Sequence, residues 1–480
     1  MGKAGGKRRR RPKRGNPGAL SVHGSLTTAQ RAIVLVIGLA YCVGVASHWG
    51  YLNGVEQLTD WVWAWRDLGI PRTASLLATP FALVAGVLWV AEREQSRSRL
   101  PALLGLLVAA SFLFQLLGAE ADPRGLALVR QIAASRGATS YFFDATRIHV
   151  PLREWLAEFH TAQLERHSQT HPAGPIVFYY AFLTVFGPSV GALLGGCAVG
   201  LLGSAGVVVM YAFAGLWTAD PGVRLTACAW YALLPAMTVF FPEFDQAYPI
   251  FSMLAILFWV RSLDARRSTW TYALALGAVL FVATGFAYNL LVIGAFLLYY
   301  AGYWLWREQW MRPAWIAMLR TGGLSFLVCI GLYVALWLAA GYDPIASFQH
   351  AMANQARLAS ITVRPYLTFA LLDPFDFVLG AGVLAAPILF FRIRREGIAG
   401  KQLNRPIALT LIGIATILTI DASGLLRGEA ARVWIFLQPL VVVPVALELA
   451  TLRRPWRLSI FALQWLILVS LKAEMTFVNP

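Results

Sequence analysis

The chain alternates long apolar runs with shorter polar segments along nearly its whole length. The apolar runs lie at about 31–49, 74–91, 100–118, 189–216, 224–241, 247–260, 270–286, 288–306, 320–340, 376–391, 406–420, 431–448 and 457–471. Many of them have the roughly 17–25 residues that an α-helix needs to cross a bilayer. The pattern predicts an all-α fold, a polytopic transmembrane helix bundle of about 13 spans.

Composition supports this fold class and limits the partners. Hydrophobic residues make up 58% of the chain and charged residues only 13%, against about 25% charged in soluble proteins. The net charge of +16 is concentrated at the start, where eight Lys and Arg residues lie between Lys3 and Arg14. Such a block is typical of a disordered tail at an anionic membrane surface. We therefore expect residues 1–30 to form a basic cytoplasmic tail that contacts anionic lipid, and no nucleic-acid partner.

Polar segments 119–188 and 341–375 are the longest interruptions after the tail. Within the first, the apolar piece from Ile176 to Phe186 is short for a span, so we expect it to dip into the membrane without crossing. With that choice, the positive-inside rule places the N-terminus and every arginine-rich loop in the cytoplasm. The transmembrane domain is then 31–480, with both long polar segments outside and carrying amphipathic helices.

Two acids of the first outward segment are candidate catalytic bases. Asp144 lies among aromatic residues, and partial burial there would raise its pKa toward a useful value. Asp122 directly follows the third apolar run and is the rival. Each has a purely structural alternative as a helix N-cap, because Asp is a favoured capping residue; Pro123 strengthens that alternative for Asp122.

The segment from Thr170 to Pro175 contains two prolines and a glycine, which favour a rigid turn. Its His171 would begin the short helix and could hold a phosphate or carboxylate, although a simple chain-redirecting turn is an equal alternative. Arg357, in the second outward segment, is a candidate contact for a donor phosphate. Its alternative is the polar face of an amphipathic surface helix.

Two further outward turns carry charges. Glu243 and Asp245 stand between aromatic residues and could line a cleft, contacting an acceptor or a divalent cation; a solvated loop is the alternative. Glu429 and Arg432 lie three residues apart where a span begins, and ionisable groups at a membrane edge are functional candidates by default. Arg432 could hold a lipid-linked phosphate through its planar guanidinium, or simply pair with Glu429.

With these residues in place, the chain from about 100 to 450 resembles the GT-C superfamily of integral-membrane glycosyltransferases. The similarity lies in an acid-bearing first outward loop, the turn from His171 to Pro175 before a short helix, the acids Glu243 and Asp245, and the late pair of Glu429 and Arg432. The resemblance implies a polyprenyl-phosphate sugar donor, a lipid or glycan acceptor, and a catalytic aspartate in the first outward loop. By position that aspartate would be Asp144 or Asp122.

The sequence thus predicts a multi-pass glycosyltransferase of the cytoplasmic membrane with its active site on the extracytoplasmic side. A transporter or flippase of a lipid-linked saccharide, or a non-catalytic membrane protein, is the alternative. No thiolate metal site is expected, since the four cysteines all lie within apolar runs without Cys-x-x-Cys spacing. A divalent-cation cofactor is left open.

Overall fold

The structure is a computed structural model, and it describes residues 26–47, 64–93, 99–264, 269–361, 364–399 and 404–478. Nearly all of the predicted basic tail lies outside these residues. Within them, the first helix begins at Thr28 after Thr27, whose side chain accepts a hydrogen bond from the Gln30 N–H at 3.2 Å. This is the N-cap geometry that satisfies an otherwise unpaired backbone donor.

The described residues are almost entirely helical. The α-helices are α1 Thr28–Ala46, α2 Ile70–Arg93, α3 Leu100–Glu120, α4 Leu126–Ala133, α5 Tyr141–Ala145, α6 Leu152–Ala157, α7 Gly174–Ala214, α8 Pro221–Ala232, α9 Pro235–Val239, α10 Tyr248–Asp264, α11 Thr269–Phe286, α12 Gly294–Arg307, α13 Arg312–Ala340, α14 Pro344–Ile361, α15 Tyr366–Ala381, α16 Ala385–Ala399, α17 Arg405–Ser423, α18 Ala430–Val433, α19 Pro439–Leu449 and α20 Arg454–Glu474. A two-residue antiparallel ribbon pairs β1 Ala64–Trp65 with β2 Met475–Thr476. The predicted all-α polytopic class is confirmed.

The predicted number of about 13 spans is not confirmed. Among the described residues, nine helices are long and apolar enough to cross a membrane, or ten if α15 and α16, bent by 102°, count as one broken span. Two of the predicted runs are divided in the structure. The run at 224–241 is divided into α8 and α9 before Pro235, and the run at 431–448 becomes α18, a 3-10 turn and α19. In both, a proline is the first residue of the later helix, where it lacks the N–H that would continue the preceding one.

Helix α7 contains the short apolar piece from Ile176 to Phe186 and breaks directly after it. Gly187 has φ 72° and ψ 176°, outside helical geometry, and Pro188 follows. A Cβ added at Gly191 would lie 2.7 Å from the Phe182 carbonyl oxygen, and one at Gly195 would lie 2.7 Å from the Tyr179 ring. Residues before and after the break therefore pack side by side, so the short piece folds back on the longer helix. That it dips into the membrane remains a prediction.

Charged residues also form ion pairs at the C-terminal ends of α10 and α19. Asp264, the last residue of α10, pairs with Arg307 at 3.1 Å and Arg405 at 2.8 Å. Near the end of α19, the fully buried Glu448 pairs with Arg395. Since α10 has 17 residues, the ion pairs of Asp264 lie about 25 Å along this helix from its first residue, at 1.5 Å per residue.

Candidate functional site

A cavity of about 620 Å³ lies where Glu243 and Asp245, just before α10, meet several segments that are distant in sequence. The segments come from both long polar stretches, from the 3-10 turns before α10 and before α12, and from the loop between α17 and α18. Its polar lining includes Tyr141, Arg166, His167, Thr170, His171, Glu243, Asp245, Asn289, Arg364, Glu429 and Arg432. Helix ends thus bring together groups that hundreds of residues separate.

Arg432 is surrounded by three carboxylates. Its Nη2 lies 2.6 Å from Glu429 Oε2, its Nη1 lies 3.5 Å from Glu243 Oε1, and its Nε lies 3.9 Å from Asp245 Oδ2. Burial alone would lower the pKa of Arg432, but the three carboxylates outweigh burial and raise it. The guanidinium is therefore a permanent cation of the cavity, and its attraction lowers the pKa of Glu429.

Glu243 behaves differently from Glu429. Burial raises its pKa to about 8, even though Arg432 favours the ionised form. The 3.5 Å contact with Arg432 favours the ionised carboxylate of Glu243, whereas the raised pKa favours its protonated form. Burial prevails because Arg432 is already engaged at shorter distance by Glu429, and Glu243 Oε1 accepts no hydrogen bond within the described residues. At neutral pH most Glu243 side chains are protonated and can donate a proton.

The loop between α17 and α18 is held in place by carboxylates of α15. The Gly428 N–H donates to Asp373 Oδ1 at 2.9 Å, and the Ala431 N–H donates to Asp376 Oδ2 at 2.8 Å. Gly428 has φ 80°, a backbone conformation that favours glycine, and a Cβ there would also displace the Arg364 guanidinium, which lies 2.8 Å away. These contacts fix the loop that carries the Glu429–Arg432 pair.

Arg364 supplies a second cation to the cavity. Its Nη2 lies 3.1 Å from Glu429 Oε1, and its Nη1 donates to the Arg427 carbonyl oxygen. In return, Arg427 Nη1 donates to the Arg364 carbonyl oxygen at 2.8 Å. Glu429 is therefore bound on both oxygens, by Arg364 and Arg432, which leaves these two guanidinium groups side by side at the cavity wall.

His167 and His171 also line the cavity. Burial lowers the pKa of each to about 4, so both imidazoles are neutral at pH 7. His171 Nδ1 lies 2.9 Å from the His167 carbonyl oxygen. Because a carbonyl oxygen only accepts, Nδ1 must carry the proton, and Nε2 of His171 keeps its lone pair. A neutral His171 therefore offers an acceptor at Nε2, and its predicted contact with a phosphate or carboxylate stays a prediction.

The structure does not bring Asp144 into the cavity lining. The residue lies in α5, its side chain is 1% exposed, and Oδ2 accepts the Glu165 N–H at 3.1 Å. Oδ1 lies 3.4 Å from Arg147 Nη1. Sequence analysis offered an N-cap as the structural alternative; the observed contact is instead with a backbone donor 21 residues away.

Asp122 and Arg357 also lie outside the cavity lining. Asp122 pairs with Arg124 at 2.9 Å and with Arg66 at 3.3 Å, and the hydrogen bond from Arg124 lowers its pKa to about 2. Arg357 Nη2 donates to Gln169 Oε1 at 2.9 Å, which ties α14 to the turn before His171. Arg357 thus joins α14 to a segment of the cavity, whereas Asp122 joins the end of α3 to Arg66 and Arg124.

Five candidates from sequence are brought together: His171, Glu243, Asp245, Glu429 and Arg432. Tyr141 and His167 of the lining, and Asp373 and Asp376 behind it, were not among the candidates from sequence. For the last two a signal existed, because two acids near the start of an apolar run are functional candidates in a membrane protein. As for a divalent cation, the described part of the chain has no group of three or more His, Cys, Asp or Glu arranged to hold a metal.

Comparisons with known proteins give the following result. No protein-family model matches the chain, and no curated protein does. Among solved structures, it is similar to the crystal structure of ArnT from Cupriavidus metallidurans in the apo state, with 15% identity and a TM-score of 0.46, and to the same protein bound to undecaprenyl phosphate, with 14% identity and a TM-score of 0.46. Each match covers 74% of this chain and 61% of that chain.

ArnT is a GT-C glycosyltransferase, the superfamily that the sequence resembles. The chain spans less than two thirds of the length of the ArnT chains, with 61% of each covered.

Proposed function

We propose that the protein is a membrane glycosyltransferase that moves a sugar from a polyprenyl-phosphate donor to an acceptor hydroxyl on the outer face of the cytoplasmic membrane. One observation carries the proposal: the cavity lining combines a charged part, which includes Arg364, Arg432 and three carboxyl groups and is called the charged wall, with an apolar part, called the apolar wall. The apolar wall includes Leu291, Phe348 and Leu425, which are 52%, 38% and 70% exposed. An amphipathic ligand with an anionic head and a hydrocarbon tail matches both walls.

The charged wall can supply the groups that sugar transfer needs. As the acceptor oxygen forms its bond to the anomeric carbon, the bond from that carbon to the phosphate oxygen breaks, and negative charge grows on the departing phosphate. Arg432 and Arg364 are the cations that would stabilise this charge. A carboxylate must take the proton of the acceptor hydroxyl.

We assign the base role to Asp245. It lines the cavity and is the carboxylate farthest from Arg432, at 3.9 Å, while Glu429 is bound by two arginines and Glu243 is mostly protonated. Asp144 and Asp122, the bases favoured by sequence, lie outside the lining. Neutral Glu243 and His171 would orient sugar hydroxyl groups by donating and accepting hydrogen bonds.

The flippase alternative is less well supported. A carrier needs polar groups about halfway across the bundle, whereas the charged groups of this cavity lie at helix ends: Asp245 three residues before α10, Glu429 one residue before α18 and Arg364 two residues before α15. That position favours chemistry at the membrane surface.

The test is transfer by the purified full-length protein in proteoliposomes that contain radiolabelled undecaprenyl-phosphate sugars and a membrane-lipid extract as acceptor source. We expect labelled product with wild type and with Asp220→Asn, a control at the start of α8, and none with Asp245→Asn. Consumption of no donor by wild type, or equal transfer by Asp245→Asn, would contradict the proposal. Donor translocation without product would favour the flippase.

A further inference from the structure

We infer that Asp144 is a positioning residue: its carboxylate holds the segment 165–171, and through it the two cavity histidines, in place. The inference rests on the proposed function only for its effect on transfer. Its structural part, the attachment of 165–171 to α5, can be measured without any substrate.

Two hydrogen bonds attach this segment, and in each a side-chain oxygen accepts a backbone N–H. Asp144 Oδ2 accepts the Glu165 N–H at 3.1 Å, and Ser140 Oγ accepts the Ser168 N–H at 3.0 Å. Ser140 and Ser168 are also joined through their hydroxyl groups at 2.9 Å. Ser140 directly precedes α5 and Asp144 lies within it, so both bonds join this helix to the segment that begins at 165, while α14 holds the next residue, Gln169, through Asn354 and Arg357.

Ion pairs that involve two exposed arginines add to this attachment. Arg147 bridges Asp144 at 3.4 Å and Glu165 at 3.8 Å, and Arg136 pairs with Glu165 at 2.8 Å. Arg136 also lies over the Phe143 ring, 4.9 Å from its centroid. Since Arg136 and Arg147 are 67% and 43% exposed, each pair contributes little alone. The hydrogen bond that the buried Asp144 carboxylate accepts from the Glu165 N–H is therefore the central link.

Movement of this segment would reach the cavity directly. His167 lies two residues after Glu165, and its carbonyl oxygen holds His171 Nδ1 at 2.9 Å. Tyr141, in the same short helix as Asp144, contacts the His171 ring at a centroid distance of 5.4 Å and lines the cavity. Helix α5 therefore presents Tyr141 to the cavity and Asp144 to the segment that carries both histidines.

Two substitutions of Asp144 distinguish a positioning role from a catalytic one. An asparagine at 144 keeps an oxygen that can accept the Glu165 N–H, but it cannot take a proton as a base. An alanine loses both abilities. Positioning therefore predicts rescue by asparagine, and general-base catalysis predicts that both variants are inactive.

The experiment compares Asp144→Asn and Asp144→Ala in full-length protein in nanodiscs, by hydrogen exchange and by transfer from undecaprenyl-phosphate sugar over a range of pH. We expect Asp144→Ala to speed amide exchange across 165–171 and to slow transfer by about 10²-fold, as misplaced groups do. Asp144→Asn should show near-wild-type exchange, transfer within about threefold of wild type, and an unchanged pH profile.

The matched control is Asp220, whose Oδ1 accepts the Gly222 N–H at 2.8 Å at the start of α8. Asp220→Ala should change exchange only near 222 and leave transfer unaltered. If Asp144→Ala does not accumulate in the membrane, Asp144→Leu, similar in size and also without an acceptor, takes its place.

Two results would overturn the inference. One is amide hydrogen exchange across 165–171 at the wild-type rate in Asp144→Ala, or in Asp144→Leu where that variant replaces it. The other is an inactive Asp144→Asn with wild-type exchange, which would make Asp144 a catalytic residue. Failure of the proposed function is distinguishable, because wild type would then transfer no sugar while the exchange comparison still decides the role of Asp144.

Discussion

Arg432 Nη2 lies 2.6 Å from Glu429 Oε2, and the two residues stand three apart across the first turn of α18. Glu429 has φ 56°, a left-handed conformation that non-glycine residues adopt rarely. Its second oxygen is held by Arg364 at 3.1 Å. The pair therefore directs the guanidinium toward Glu243 and Asp245 instead of leaving it free to rotate.

Replacing Arg432 with glutamine should abolish transfer and destabilise the fold. The change leaves Glu429, Glu243 and Asp245 close together without the central cation, and breaking a buried pair costs about 3–5 kcal/mol. We expect a lower melting temperature and transfer reduced by at least about 10²-fold. Arg432→Lys should recover part of the stability but little transfer, because an ammonium lacks the planar fork. Normal transfer by Arg432→Gln would exclude the phosphate role.

Replacing Asp245 with asparagine should remove the base with little change in size. We expect kcat to fall by about 10²–10⁴-fold, the usual range for loss of a general base. The melting temperature should change little, because the 3.9 Å contact with Arg432 is the longest of the three. The matched comparison is Glu243→Gln, a change to the neighbouring carboxyl that should retain most transfer at pH 7. A larger loss of transfer in Glu243→Gln than in Asp245→Asn would assign the base role to Glu243.

Glu243 should make the free energy of unfolding depend on pH in an unusual direction. Its pKa rises from an ordinary value of 4.5 to about 8 in the folded protein. Between these values the folded state binds more protons than the unfolded state, so the free energy of unfolding decreases as pH rises. This contribution is complete below 4.5 and is lost through pH 8. Thermal melting of wild type and Glu243→Gln from pH 5 to 9 measures it, and equal slopes would refute it.

Asp122 should matter for stability rather than for transfer. Its pKa is lowered to about 2, so its contribution is present above the ordinary value of 3.8 and is lost as pH falls toward 2. Asp122→Asn should reduce the free energy of unfolding by about 1–3 kcal/mol, discounted for the exposure of Arg124. Transfer per folded molecule should stay within about threefold of wild type. Loss of transfer in a stable Asp122→Asn protein would restore its candidacy as the base.

The sequence by itself determined the fold class, because hydrophobic runs must be helical where lipid offers no hydrogen-bond partners. It also selected five residues that the structure brings to one cavity. Asp245 and Arg432 could be placed together because the charge pattern predicts that their turns lie on the same side of the membrane. Apolar length did not locate the breaks that divide two of the runs into shorter helices, and the predicted number of about 13 spans is not confirmed.

Only the tertiary structure decided which aspartate faces the cavity. Asp144 and Asp245 both lie among aromatic residues, so local sequence cannot separate them. The difference arises from contacts between distant segments: the Glu165 N–H occupies Asp144, whereas Asp245 stays beside Arg432 at the cavity wall. Asp373 and Asp376 likewise acquire their role only when α15 packs against the loop that carries Glu429, because backbone donors 55 residues away need buried acceptors.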